Sequence, residues 1–283
     1  MSKLAKALSG AAGNAGGDKL YVDDVFSTNL WAGNNSTQTI TTGIDVAGEG
    51  GLIWTKPRTA DSVDSNHKLF DTARGQNKVL YTNLTQAQET GRPLTYTSTG
   101  FTLDAGSQYY GFNQTGKNYA SWSFRKAEKF FDVVTYTGNS TVGRTVAHNL
   151  GVAPAWMVIK CTTAARNWCT YHISLGNGYQ IILNSTAAKE STALWNSTTP
   201  TATEFTLGND ADVNGTGNTY VAYLFASDAG GYGDDGTESI ISCGSFNSTA
   251  LNNLGWEPQW VMMKRTDSTS GWFMMDNMRG MTA

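Results

Sequence analysis

A twelve-residue pattern that occurs twice indicates how this chain is built. The sequence NLGVAPAWMVIK at residues 149–160 recurs as NLGWEPQWVMMK at residues 253–264, which is 104 residues further along the chain. The same interval taken backwards from Lys160 leads to Lys56, at the end of the run GLIWTK. A pattern that returns at a fixed interval predicts tandem copies of one structural unit, and we expect about two and a half of them.

Further matches keep nearly the same spacing between the first two copies. The sequence FTL at 101–103 recurs at 205–207, and YASWSF at 119–124 matches YVAYLF at 220–225. After each repeated lysine comes a polar stretch, then an apolar segment that ends in a glycine, where we expect the chain to turn. These glycines are Gly75, Gly176 and Gly280.

The composition favours many short strands over helices. The chain has 31 glycines and only 5 prolines, and Thr, Ser and Asn separate short apolar runs, as in strands joined by tight turns. The run WMVI at 156–159 predicts a central strand buried on both faces, whereas the alternation at 119–124 predicts a strand with one packed face. Helix signals are confined to 85–89 and 187–191. The expected fold is all-β, with tandem β-sandwich modules of the jelly-roll or lectin-like kind.

The repeat sets the expected domain boundaries. Residues 1–24 form a flexible N-terminal segment, 25–128 the first module and 129–228 the second module. Residues 229–283 comprise a glycine-rich joint and part of a third module. Half a sandwich would expose its core face and its strand edges. We therefore expect the half-module to be completed either by further polypeptide of the same chain, which we favour, or by another chain.

The charge pattern excludes several classes of partner. Only 15% of residues are charged and the net charge is -3, so we expect neither nucleic-acid binding nor attraction to a membrane surface. No apolar run approaches the roughly 20 residues that cross a bilayer. The three cysteines fit no metal-ligand spacing, and we interpret them as free thiols of a protein made in a cytoplasm. They are Cys161, Cys169 and Cys243.

No set of residues predicts catalysis, a metal site or a cofactor. The three histidines do not recur at matching positions of the repeat, and none lies in a nucleophile or zinc motif. The segment 210–215 begins like a calcium-binding loop, but Val221 stands where the bidentate glutamate is needed, so we favour a plain turn. We expect a protein that is not an enzyme.

Two tryptophans are the candidates for contact with a sugar. Trp31 and Trp195 lie in polar, turn-rich sequence and have no counterpart in another copy. An exposed aromatic ring can stack on a glycan, although an aromatic residue at a module joint or a subunit interface has the same sequence pattern. The recurring tryptophans, in contrast, are expected in the core. They are Trp156, Trp168, Trp260 and Trp272.

The N-terminal segment differs from the modules. Residues 1–19 are small and lightly basic, with Leu4 and Leu8 one helical turn apart. The segment is either a disordered tail or a docking peptide that orders against a larger assembly. In the second case Leu4, Leu8, Leu20 and Tyr21 would bury apolar surface on the partner.

Several motifs resemble one known group of proteins. The runs LYVDDVFS at 20–27, GEGGLIWTK at 48–56 and FDTARG at 70–75 are similar to tail-fibre and related structural proteins of marine tailed bacteriophages. So is WSFRKAEKFFDVV at 122–134, which joins the first two modules. The resemblance covers nearly the whole chain. It implies repeated modules without enzyme activity, an N-terminus that anchors the fibre, a C-terminal end that faces the host, and a trimeric assembly.

The leading hypothesis is therefore a bacteriophage virion protein, made in the host cytoplasm. It would be a tail fibre attached to other tail or adaptor proteins through its N-terminus, and it would contribute to host attachment as a homotrimer. One alternative is a carbohydrate-binding adhesin module that recognises a host surface glycan. Another is a head fibre or capsid decoration protein built from the same modules.

Overall fold

The computed structural model of the protein describes residues 19–59, 64–247 and 253–281. Its regular structure is almost entirely β, so the predicted all-β fold is confirmed. Helices are short wherever the chain is described. Two are single α-helical turns, α1 (Val22–Val25) and α2 (Ala211–Asn214), and two are 3-10 helices, Ala105–Tyr110 and Asn277–Arg279.

Module one is a sandwich of two antiparallel sheets. The larger sheet has the strand order β1-β9-β3-β4-β5-β6 and the smaller one the order β2-β8-β7. The inner faces of the two sheets enclose an apolar core that includes Ile53, Phe70 and Phe101. The strands are β1 (Phe26–Ala32), β2 (Gln38–Thr41), β3 (Gly51–Pro57), β4 (Lys68–Asp71), β5 (Lys78–Tyr81), β6 (Glu89–Thr90), β7 (Leu94–Thr97), β8 (Gly100–Leu103) and β9 (Asn118–Arg125).

Module two has the same strand order in its larger sheet. That order is β10-β17-β12-β13-β14-β15, and a two-stranded sheet of β11 and β16 covers the core. The residues matched in the sequence also agree in register. Leu52 in β3 lies opposite Phe124, and Trp156 in β12 lies opposite Phe225. The strands are β10 (Phe131–Thr137), β11 (Arg144–Ala147), β12 (Trp156–Cys161), β13 (Trp168–His172), β14 (Tyr179–Ile182), β15 (Glu190–Ser191), β16 (Glu204–Leu207) and β17 (Thr219–Phe225).

In the third module the described residues contain one hairpin. It consists of β18 (Trp260–Lys264) and β19 (Trp272–Asp276), which pair in the register of β12 and β13. The preceding residues 239–247 are described but belong to no strand. Ile240, Ile241 and Cys243 in this stretch nevertheless pack against the apolar cluster between the modules, and Ile241 also packs against the core of module two.

A further apolar cluster, here called the shared core, lies between the modules. It is formed by the outer faces of the two larger sheets, and the hairpin of module three packs against it. Phe124 of module one contacts Phe225 of module two edge-to-face at 5.5 Å between ring centroids, and Trp260 of module three at 5.6 Å. The buried strand residues of the shared core are Phe26, Leu52, Trp54, Leu69, Leu80, Ala120, Trp122, Phe124, Phe131, Val133, Trp156, Val158, Trp168, Val221, Tyr223 and Phe225.

The shared core corrects two expectations about local structure. β9 is buried along both faces, not along one. Its large residues Trp122 and Phe124 face the neighbouring modules, and by alternation the small Ser121 and Ser123 face its own module. The helix signals at 85–89 and 187–191 were also misleading, because β6 and β15 begin in these segments.

The glycines that follow the repeated apolar segments behave as expected. Gly75, Gly176 and Gly280 have φ angles of 90°, 73° and 100°, a region in which a side chain would be strained. Across the described ranges, no helix is long and apolar enough to span a membrane.

Replacing Trp156 with alanine tests the shared core. The Trp156 ring is 8% exposed and stacks on Phe225 at 4.6 Å between ring centroids. We expect Trp156→Ala to lower the free energy of unfolding by about 3–5 kcal/mol, because truncating a buried aromatic residue leaves a cavity. Denaturant unfolding measures the change. Tyr109→Ala is the control, since Tyr109 is 75% exposed and should cost less than about 0.5 kcal/mol. Equal effects of the two substitutions would contradict a buried role for Trp156.

Candidate functional site

Module two is joined to module one through backbone carbonyl groups at the end of β5 and in the loop that follows it. The Trp168 indole donates to the Tyr81 carbonyl at 2.9 Å, and the Lys160 ammonium donates to the Thr85 carbonyl at 2.9 Å. Two backbone bonds add to these contacts: Arg166 N–H donates to Thr85 O, and Gln88 N–H donates to Thr162 O, each at 2.9 Å. The indole and the ammonium of one module therefore recognise the main chain of its neighbour.

Module three is joined to module two by the same four bonds at matching positions. The Trp272 indole donates to the Ile182 carbonyl at 3.2 Å, and Lys264 donates to the Thr186 carbonyl at 3.2 Å. The backbone bonds run from Ser270 N–H to Thr186 O and from Lys189 N–H to Thr266 O, each at 2.9 Å. The two interfaces are thus equivalent, so modules two and three each dock on the preceding module in the same orientation.

Buried carboxylates form a second series of contacts between modules. Asp71 is fully buried and bonded to the Arg74 guanidinium at 2.5 Å, and it accepts a 2.6 Å hydrogen bond from the Tyr223 hydroxyl of module two. Burial raises the pKa of Tyr223 well above its usual value, so the phenol remains a donor. Charge-assisted bonds of this kind are roughly twice as strong as neutral ones.

The same pair occurs in module three and links it to module one. Asp276 is 1% exposed, is bonded to Arg279 at 2.6 Å, and accepts a 3.0 Å hydrogen bond from the Trp122 indole. The Arg279 guanidinium also lies over the Trp122 ring, 4.9 Å from its centroid. Module two thus donates a hydrogen bond to module one through Tyr223, and module one donates a hydrogen bond to module three through Trp122. Together with the docking of module three on module two, these contacts close a circle of three modules.

Module two has different residues at the carboxylate position. His172 lies opposite Trp156 in the register that places Asp276 opposite Trp260, and Leu175 follows where the other modules have arginine. His172 Nδ1 accepts a hydrogen bond from the backbone N–H of Ser174 in the same module at 3.2 Å. Burial lowers the pKa of His172, which favours the neutral ring. Because Nδ1 accepts this bond, the neutral ring carries its proton on Nε2. Module two therefore has a neutral side chain in place of a buried ion pair.

A groove of about 700 Å³ opens where module one faces module three. Module one contributes Trp54, Lys56, Arg58 and His67, and the Trp54 indole donates to His67 Nδ1 at 3.2 Å. Lys56 and His67 hold the positions that Lys160 and Trp168 hold in module two. Lys56 donates to the carbonyls of Pro57 and Ser65 in its own module. The other modules line the groove with Leu183, Asn184, Thr186, Met262, Trp272, Phe273 and Arg279.

The groove has the chemistry of a polypeptide-binding surface. Lys56 and His67 occupy the positions whose side chains bind main-chain carbonyls at the two closed interfaces. Among the residues that the structure describes, no group of three His, Cys, Asp or Glu side chains could hold a metal ion.

Comparison with known proteins places the chain in a family. The model of a family described as a domain of unknown function, DUF7483, matches residues 22–283. The chain belongs to this family. The matched range starts at the first residue of α1 and includes all three modules of the DUF7483 domain. No curated protein and no solved structure matches the chain.

The two tryptophans predicted to contact a glycan are buried, so the prediction that they are exposed is wrong. Trp31 is 8% exposed and stacks on Tyr119, with ring centroids 5.2 Å apart, while Trp195 is fully buried and donates to the Tyr179 carbonyl. Trp31 also has a counterpart in module two, because Tyr136 stacks on Tyr220 at the same distance of 5.2 Å. Both tryptophans are core residues of the DUF7483 domain, and neither ring face is available to a sugar.

The predicted docking residues fall into two groups. Leu4 and Leu8 lie outside the described residues. Leu20 packs against the shared core, and its carbonyl accepts a hydrogen bond from Gly233 N–H at 3.0 Å. The Tyr21 hydroxyl donates to Asp234 at 2.6 Å, and this bond raises the pKa of Tyr21. Leu20 and Tyr21 thus contact the glycine-rich joint of their own chain.

The remaining candidate residues have structural positions. Asp210 caps the N-terminus of α2 and accepts a 2.7 Å hydrogen bond from Asp212 N–H, so the expected turn at 210–215 includes a helical turn. The cysteines are free, as predicted. Cys161 and Cys169 are buried and Cys243 is half-buried.

The residues that connect the modules have a signal in the sequence that the repeat alone does not reveal. Asp71 and Asp276 are each followed three positions later by arginine, inside the repeated segments. An aspartate and an arginine at this spacing in an otherwise apolar segment indicate a buried ion pair, because an isolated charge would be costly there. Their partners Tyr223 and Trp122 lie about 150 residues away in sequence, and no local pattern indicates such a distant contact.

The hydrogen bond between Tyr223 and Asp71 can be removed by one substitution. We expect Tyr223→Phe to lower the free energy of unfolding by about 1.5–3 kcal/mol, because the bond to a buried carboxylate is lost while the ring remains. Chemical denaturation provides the measurement. Tyr109→Phe, at an exposed position, is the control. A Tyr223→Phe protein as stable as the control would show that this contact does not hold modules one and two together.

His67 makes the stability of the domain depend on pH. Burial, with added repulsion from Lys56, Arg279 and Lys68, lowers the pKa of His67 from 6.5 to about 3. Between these values the unfolded chain binds a proton that the folded chain does not, so the contribution of His67 to stability falls as the pH drops. We expect the wild type to lose more unfolding free energy between pH 7 and about pH 4 than His67→Phe, which keeps a ring but cannot titrate. Parallel pH profiles of the two proteins would refute this expectation.

Proposed function

We propose that this DUF7483 protein is a structural component of a bacteriophage virion, a tail fibre that attaches to the tail through its N-terminus and contributes to host attachment. The observation that carries the proposal is the position of the motifs behind the resemblance to phage fibre proteins. Asp71 and Arg74 belong to FDTARG, whereas Trp122, Phe124 and Phe131 belong to WSFRKAEKFFDVV. All five residues lie at the contacts between modules.

This position favours a mechanical function over a catalytic one. The motifs unite the modules through a buried aromatic core and buried ion pairs, and these contacts resist separation of the modules. A fibre has to transmit force and keep its shape between the particle and the cell surface. Residues that join modules therefore suit the proposed function directly.

The proposal includes the partners and the location of the protein. The partners are other tail or adaptor proteins, further copies of the chain in a homotrimer, and a host surface glycan. The protein is made in the host cytoplasm and carried in the virion. Its free thiols support this location, since a cytoplasm keeps thiols reduced. In a homotrimer with closed rotational symmetry, neighbouring chains would support one another along the fibre.

Labelling of particles tests the proposal. We expect an antibody against the protein, coupled to gold, to mark the tails of purified phage particles, and mass spectrometry to find the protein in washed particles at a fixed copy number. Label on the capsid would favour a head fibre or decoration protein. Absence of the protein from washed particles would refute a virion function.

Deletion of residues 2–18 tests the attachment point. The deletion leaves the contacts of Leu20 and Tyr21 intact, so we expect the melting temperature to change by less than about 2 °C. Incorporation into particles should fall at least about tenfold if this segment supplies the docking contacts, since several weak contacts acting together bind tightly. The control keeps the length and replaces residues 2–18 by a Gly/Ser sequence. Normal incorporation of either variant would show that the modules themselves dock.

A further inference from the structure

One tyrosine ring of module one is more exposed than the other large apolar side chains. Tyr109 is 75% exposed, the highest value for such a residue within the described ranges. It belongs to the 3-10 helix Ala105–Tyr110, in the linker between β8 and β9. This helix is fixed to module one, because the buried Ser107 donates its hydroxyl to the Pro93 carbonyl at 2.8 Å. An anchored segment thus presents the Tyr109 ring to solvent.

The linker that carries Tyr109 is longer than its counterpart in module two. Residues 104–117 connect β8 to β9, whereas residues 208–218 connect β16 to β17, so module one has three more residues here. The helix ends at Gly111, whose φ angle is 72°. A side chain at this position would also lie 2.7 Å from the Asp64 carbonyl oxygen. Loops that are lengthened in single copies of a repeat often form the binding face.

The exposure of Tyr109 does not depend on the partial third module. Asn113 and Asn214 hold equivalent places in modules one and two, since each donates to a carbonyl of the loop before β2 or β11. Four residues before them lie Tyr109 and Asp210. Asp210 is exposed although module two is docked on module one. A complete interface between modules therefore leaves this position open.

Polar groups lie beside the neighbouring residue Tyr110. The Arg92 guanidinium lies over the Tyr110 ring, 4.0 Å from its centroid, and forms an ion pair with Glu89. Glu89 also accepts a 3.2 Å hydrogen bond from the Tyr81 hydroxyl. The Arg92 and Glu89 side chains are 20% and 26% exposed, so both can reach a ligand. A guanidinium offers several donors in one plane, and a carboxylate offers acceptors.

The charges in this part of module one are balanced. Arg92 pairs with Glu89, and Lys68, whose side chain is fully buried, pairs with Asp64 at 3.1 Å. A phosphate, sulfate or uronate group would bring a negative charge to a surface whose cations already have partners, and its approach to the carboxylates would be unfavourable. An uncharged ligand faces no such repulsion. The charge pattern therefore favours a neutral ligand over an acidic one.

An exposed aromatic ring beside donors and acceptors has the chemistry that recognises a sugar. The C–H groups on one face of a pyranose are apolar and pack on an aromatic ring, while the hydroxyls at its edge need hydrogen-bond partners. We infer that Tyr109, Arg92 and Glu89 bind an uncharged oligosaccharide, with one sugar stacked on Tyr109 and hydroxyls of the next bonded to the Arg92–Glu89 pair. The inference rests on the proposed function, because it gives the host surface glycan of that proposal a place and a chemical class.

Binding of saccharides to the purified, intact chain tests this site. The probes are arrayed neutral and acidic oligosaccharides, together with the neutral and acidic surface polysaccharides of the host cells. We expect the chain to retain neutral saccharides and Tyr109→Ala to weaken this binding at least about tenfold, because the stacking surface is lost. Tyr109→Phe keeps the ring and should bind within about threefold of the wild type. The melting temperature of Tyr109→Ala should shift by less than about 2 °C, since the ring is exposed.

Tyr179→Ala is the matched control. Tyr179 of module two is 40% exposed and also lies beside a cation, with the Lys189 ammonium 4.6 Å from its ring centroid. Loss of binding in Tyr109→Ala but not in Tyr179→Ala supports the site. Equal binding by Tyr109→Ala and the wild type overturns it, and so does retention of acidic saccharides alone or of no saccharide.

This test and the labelling of particles have separate outcomes. A protein that binds neutral saccharides through Tyr109 but is absent from washed particles would keep the binding site and lose the virion function. A protein that is found on the tails but retains no neutral saccharide would keep the virion function and lose the binding site.

Discussion

The structure depends on the burial of both faces of the two larger sheets. One covering layer is enough to bury a sheet that is apolar on one face. β9 and β17, however, are buried along both faces. One face of each sheet packs on its own smaller sheet, and the other packs on the neighbouring modules. The modules are therefore not independent domains on a flexible chain. Separating them would expose the tryptophan and phenylalanine rings of the shared core to water, at a cost that grows with the apolar area.

The parts of the fold that could be predicted from the sequence are those at the repeated positions. The interval between Lys56, Lys160 and Lys264 gives strands in matching register, and the conformations of Gly75, Gly176 and Gly280 agree with the predicted turns. The candidate site could not be predicted in the same way. Trp31 has no identical residue in another copy because its counterpart is Tyr136, and an aromatic substitution hides an equivalence that identity would reveal. The polar sequence around Trp195 indicates a surface position, although tertiary packing buries this ring completely.

The arrangement of modules bears on the proposed function. The contacts between module two and module one are repeated between module three and module two, and a third set joins module one to module three through Trp122 and Asp276. A circular arrangement gains rigidity from each contact, because no module can move without disturbing two others. The proposed fibre function depends on these closed contacts.

The presence of His172 and Leu175 in module two has a consequence for the order of assembly. Three identical acceptor sites would let any central strand bind any module, and a folding chain could close in the wrong order. A strand whose donor is matched to a buried carboxylate loses that charge-assisted hydrogen bond if it binds at His172 instead. Specificity is a difference between affinities, so one divergent acceptor is enough to distinguish correct from incorrect pairing. The difference between the acceptor sites thus lets otherwise similar strands be distinguished by their affinity for each module.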